Sequence, residues 1–182
     1  MKTKFLALIG LLAIIAGIGA MAFFFGGFFN VAGTVEEPKP IQWAMIKVRQ
    51  ASISRHATER PPADLNNADL VKAGARAYAT RGCVNCHGAP GVEWQKFAEG
   101  LNPPAADLHE IAEQREPREI FFVIKNGIKM TGMPGFAASE VPDPEIWSMV
   151  AFIKRGEVSE DDYKAWTAPA PPASPPAPGG NP

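Results

Sequence analysis

The sequence predicts an all-α protein, with one N-terminal membrane-crossing helix ahead of one small helical domain. Three observations carry this. Residues 5–29 are 25 consecutive positions without a charged or polar side chain. After them, three segments place apolar residues at helical spacing, and none alternates as a strand would. Long loops bearing Gly and Pro surround those helices, at 88–106 and 129–142, so side chains alone leave the centre of the domain underfilled.

The apolar run holds six of the eleven Phe. As a helix it is about 37 Å long, enough to cross a hydrocarbon core of about 30 Å. Lys2 and Lys4 precede it, and Glu36 and Glu37 follow, so the N-terminus is expected inside and the body of the chain outside. Ala20-Met21-Ala22 offers the alternative of a cleaved signal peptide. Cleavage there would leave a new N-terminus of exposed Phe, which favours an uncleaved anchor at 1–29. In either case the soluble part is exported.

The 153 residues after position 29 carry 16 basic and 19 acidic groups, a balance that argues against nucleic acid as a partner. Residues 30–66 read as a connector, punctuated by Pro38, Pro40, Pro61 and Pro62. Within it, 41–56 places Ile41, Met45, Val48 and Ser52 on one helical side, widened by Trp43 and Ile46, as an amphipathic helix at the membrane surface or as a helix packed on the domain or a partner subunit. The compact domain is expected at 67–157. Its first helix runs over 68–80, with Asn67 as N-cap and Leu70, Gly74 and Tyr78 on one face. The second starts at Pro117 and stops at Gly127, with Ile120, Val123 and Ile124 together. The third opens at Asp143-Pro144 and ends at Gly156; Ile146, Val150 and Ile153 form its stripe, widened by Trp147 and Ala151. Residues 158–182 read as a Pro- and Ala-rich disordered tail, with seven of the eighteen prolines beyond position 166.

The chemistry sits in Cys83-Val84-Asn85-Cys86-His87, the C-x-x-C-H pattern of covalent haem attachment. Two thiols three positions apart can form thioethers to the two vinyl groups of one porphyrin, and His87 can then turn its imidazole onto the iron. The haem would supply the missing core. A thioredoxin-like pair would need a βαβ context, and none is visible. Structural zinc would need four ligands, for which only Cys83, Cys86, His56 and His109 are at hand. With only two cysteines, no disulfide framework is available.

A soft thioether as sixth ligand would raise the haem potential and close the iron. Met1, Met21 and Met45 lie outside the domain, and Met149 sits on a helix. Met130 and Met133 remain. Pro134 pushes Met133 toward extended backbone, suited to a loop that projects a side chain inward, and Gly132 and Gly135 would permit close approach to a flat ring. Met133 is therefore favoured over Met130, and His109 is a distant third.

With C-x-x-C-H, a Met-Pro loop and a final aromatic helix, residues 67–156 resemble a membrane-anchored monohaem class I cytochrome c. The resemblance implies an all-α fold around one covalent haem c, with His87 and Met133 as axial ligands. It implies first and last helices crossing where a glycine meets an aromatic residue: Gly74 and Tyr78 on one side, Trp147, Val150 and Ala151 on the other. It also implies a proline carbonyl, from Pro103 or Pro104, accepting the imidazole N–H. Relatives often dock through lysines around the haem edge. Here ten basic and eleven acidic groups balance, leaving Lys125 and Lys129 as a local patch or a merely solvated face.

The expected function is one-electron transfer by a non-enzymatic, membrane-tethered domain. It would stand on the periplasmic side of a cytoplasmic-type membrane and exchange electrons with a reductase, oxidase or dehydrogenase of a respiratory chain. The alternative is a fixed haem c subunit of a larger respiratory or dehydrogenase complex. A gas sensor or haem enzyme would require the iron to be open.

Overall fold

The computed structural model describes residues 2–169, and these are helical and loop apart from one isolated bridge, Ala89–Val92. The chain divides into two units that meet between Glu37 and Pro38. The first holds α1, Lys2–Phe25, with no buried residue. Its 24 residues span about 36 Å, and it is long and apolar enough to cross a bilayer. Beyond α1, Gly27 turns the chain at φ +76°. Phe28 and Phe29 then fold back on Phe23 and Phe24, with centroids 6.4 and 5.3 Å apart.

The second unit begins with α2, Lys39–His56, inside what the sequence reads as connector. One face of α2 packs on the domain. Ser54 donates a hydrogen bond to the carboxylate of Glu119, and the His56 ring stacks on Phe122 at 6.3 Å. The half-buried stripe is Ile46, Arg49, Gln50 and Ile53. The stripe expected from the sequence is instead exposed at Ile41, Met45 and Val48, as is Trp43. Both stripes have helical spacing, so the pattern alone does not select the packed one.

Three helices form the frame: α3, Ala68–Thr80; α6, Pro117–Asn126; and α7, Asp143–Arg155. Their ends follow the local chemistry. Asn67 Oδ1 accepts from the N–H groups of Asp69 and Leu70, both at 3.0 Å. Glu116 and Glu119 form a reciprocal capping box before Pro117 locks the first turn of α6. Gly127 then ends that helix at φ +69°. Helix α7 is buried at every position from Ile146 to Ile153.

Helices α3 and α7 cross in contact at Gly74. A Cβ there would stand 1.9 Å from the carbonyl oxygen of Ser148 and 3.0 Å from Cβ of Phe152. The crossing partner of Gly74 and Tyr78 is thus the Ser148–Phe152 face, with Tyr78 and Phe152 centroids 5.3 Å apart. Trp147, expected at this crossing, turns the other way and stacks on Phe121 of α6 at 4.2 Å. Successive α7 positions are rotated by about 100°, so Trp147 and Ser148 serve different neighbours.

Short helices complete the domain: α4, Val84–His87; α5, Leu108–Gln114; and α8, Glu160–Thr167. The last corrects the reading of 158–182 as tail. Ser159 caps α8 by accepting from the Asp162 N–H at 3.1 Å. Tyr163 is buried against Phe152, with centroids 5.8 Å apart, and Arg76 donates to the Trp166 carbonyl at 2.7 Å. Residues 170–182 lie outside the described chain.

Gly74→Ala is expected to destabilise the domain by roughly 3 kcal/mol, because backbone at the crossing cannot yield to a methyl group. Gly100→Ala, which meets nothing within 4 Å, should stay within about 0.5 kcal/mol of wild type. Tyr163→Ala should cost about 3 kcal/mol, where a disordered 158–169 would cost nothing. Denaturant midpoints of the holoprotein measure all three.

Candidate haem site

Gly82 bends the chain at φ +81° directly after α3, and one turn of helix follows. In it the His87 N–H donates to the Cys83 carbonyl at 3.0 Å, and the Cys86 N–H to the same oxygen at 3.2 Å. Residues i, i+3 and i+4 of a helical turn share a side, so Cys83, Cys86 and His87 are gathered by the backbone itself. Gly88 ends the turn at φ +67°. The buried Tyr78 hydroxyl donates to the Gly88 carbonyl at 2.6 Å, tying the motif to α3. Burial pushes the Tyr78 phenol well above its ordinary value.

Cys83, Cys86 and His87 line one cavity of about 360 Å³, within the roughly 300–1,000 Å³ range of cofactor pockets. Its other walls are mainly apolar: Ile120, Val123 and Ile124 of α6, Met149 and Ile153 of α7, and Leu101, Met133 and Phe136 from the loops. A wider cleft of about 1480 Å³ is also lined by Cys86 and His87, with residues of the 88–94 and 156–160 segments.

The imidazole of His87 is held by one hydrogen bond, Nδ1 to the carbonyl oxygen of Ala106, at 2.9 Å. A carbonyl can only accept, so Nδ1 carries the proton and Nε2 keeps its lone pair. The acceptor expected from the family was Pro103 or Pro104. Those prolines form cavity wall instead, and the loop runs on two residues past Pro104 before a carbonyl meets the ring.

The loop after α6 is pinned at its neck. The Ile128 N–H donates to the Met133 carbonyl at 3.2 Å. Thr131 Oγ1 donates to the Ile128 carbonyl at 2.9 Å and accepts the Met133 N–H at 3.1 Å. A Cβ on Gly127 would lie 2.6 Å from the Gly135 nitrogen, and one on Gly135 would lie 2.7 Å from the Asn126 oxygen. A Cβ on Gly132 would lie 2.6 Å from a Leu101 methyl carbon. The glycines thus let strands of the loop close on each other and on Leu101, where the sequence suggested room for a flat ring. This frame sets Met133 in the cavity wall, whereas Met130, at φ +58°, is 86% exposed. His109 is exposed and lines the wider cleft rather than the cavity.

The residues fit a haem and argue against the alternatives. Burial pushes the Cys83 thiol up to about 11, opposite to the lowered value of a C-x-x-C redox pair. Among the described residues no three His, Cys, Asp or Glu side chains are grouped to hold an ion. Lys125, one of the two candidate docking lysines, is engaged with Asp143 at 2.9 Å and lies over the Phe121 ring; Lys129 is exposed.

Sequence reasoning missed the Ala106 carbonyl, the Met149 wall, and Arg49, Gln50 and Ile53 of α2, which line the same cavity. For α2 the signal was present in the spacing of Ile46 and Ile53, beside a second apolar stripe of equal strength.

The family model described as cytochrome c oxidase, cbb3-type, subunit III matches residues 69–153. Comparison with curated proteins and with solved structures gave no match. That match spans the frame from α3 to α7, including the C-x-x-C-H turn and the Met133 loop. The match over residues 69–153 supports a class I c-type cytochrome domain, a family that binds haem c covalently.

Proposed function

We propose that the domain passes one electron at a time through a single haem c, bonded through thioethers to Cys83 and Cys86 and ligated by His87 and Met133. The convergence of these four side chains on one apolar cavity carries the reading. The haem iron supplies a one-electron couple. His87, with Nδ1 donating to Ala106, offers Nε2 as ligand and is held in that tautomer and orientation. Met133 would offer the iron a soft sulfur, which would raise the potential and keep other ligands out. The cavity wall keeps water from the ring. No side chain need act as acid, base or nucleophile.

In this reading α1 tethers the domain, with Lys2 and Lys4 inside and the haem on the periplasmic side. Tethering raises the effective concentration near a membrane reductase, oxidase or dehydrogenase. A second reading, a fixed subunit of a respiratory complex, is favoured by the description of the matching family and by the apolar residues Ile41, Trp43 and Val48 exposed on α2. Detergent extraction separates the two: a carrier runs alone, and a subunit co-purifies with partners.

Met133→Ala should retain covalent haem, shown by the pyridine haemochrome spectrum. It should also lose sulfur ligation, lower the midpoint potential and admit carbon monoxide to the reduced iron. Met130→Ala should leave all three properties at wild type. A Met133→Ala protein with unchanged ligation would refute the assignment.

A further inference from the structure

Helix α2 lies outside the family-matched segment, yet Arg49, Gln50 and Ile53 line the cavity that holds Cys83, Cys86, His87 and Met133. It is clamped there by Ser54 on Glu119 and by His56 on Phe122. The charged residues of the cavity wall are Arg49, Arg81, Arg115 and Glu119. Arg81 is held by both carboxylate oxygens of Glu145, at 2.7 and 3.1 Å. Glu119 accepts from Ser54 and from the Glu116 N–H, with Arg115 at 4.0 Å. Arg49 has no carboxylate in ion-pair range among the described residues.

A porphyrin of this type carries two propionate carboxylates on the side away from its vinyl-derived thioethers. Bringing a carboxylate against an apolar cavity costs several kcal/mol unless a cation meets it, and a guanidinium does so with two parallel hydrogen bonds. We infer that Arg49 pairs with a haem propionate, making α2 a working wall of the haem crevice and Arg49 a residue that sets the potential. This rests on the haem c reading above. Reduction adds an electron, so a fixed positive charge beside the ring favours the reduced form. The same contact ties α2 to the haem, closing this side of the ring to solvent.

The test uses the full chain matured with haem, in detergent, with midpoint potential and visible spectrum as readouts. Arg49→Gln should lower the potential while the axial-ligand spectrum and covalent attachment stay at wild type. Arg49→Lys should recover most of the shift. Arg55→Gln, an exposed cation on the same helix, should leave the potential unmoved. An unmoved potential in Arg49→Gln, or an equal shift in Arg55→Gln, overturns the inference. Should Arg49→Gln fail to mature, Gln50→Glu decides. It is expected to lower the potential through the cavity wall, while Ser52→Glu on the exposed side does not; equal behaviour of the two sinks the proposal. A wild-type protein lacking haem c, or lacking sulfur ligation, would instead count against the parent reading.

Discussion

The fold depends on an apolar space that its side chains enclose without filling. Helices α3, α6 and α7 are packed well enough to define walls, and the Gly74–Ser148 crossing fixes the angle between the first and last of them. Yet the C-x-x-C-H turn and the Met133 loop face a cavity of about 360 Å³. In the proposed reading, a ring bonded to Cys83 and Cys86 would turn that space into a core. That would join function to stability, since the group proposed to carry the electron would also complete the packing of the domain.

The frame was legible in the sequence because its helix ends are written in local chemistry. Asn67 accepts two backbone N–H groups, Pro117 and Gly127 bound α6, and Asp143-Pro144 opens α7. The motif was legible for the same reason, since i, i+3, i+4 spacing is a property of one helical turn. What could not be read were choices made by tertiary contact. Trp147 faces Phe121 rather than Gly74, and the carbonyl beneath His87 belongs to Ala106, because register across a long loop leaves no local mark. Helix α8 escaped notice because it presents only Tyr163 and Trp166 as large apolar groups beside a Pro- and Ala-rich stretch. Helix α2 carries two apolar stripes, and only the packed structure selects the one at Ile46 and Ile53.

Around this crevice the loops form a holder of limited freedom. Thr131 bonds both arms of the 128–133 turn, and the Ala106 carbonyl holds one imidazole nitrogen. Tyr78, buried between the motif and α7, braces the turn through Gly88. Such pre-set positions suit electron transfer, where a site that rearranges little between oxidation states reacts fastest. Helix α2 and α8, both outside the matched segment, extend the family core by covering two further faces.

The most direct test of haem as core compares the full chain made with a working haem-maturation system against the same chain made without one. Near-ultraviolet circular dichroism and calorimetry are the readouts. With maturation, a coloured protein with a single cooperative transition is expected; without it, a colourless chain that keeps helix but loses fixed tertiary signals and cooperative melting. A colourless chain that melts cooperatively with intact aromatic signals would contradict haem as core.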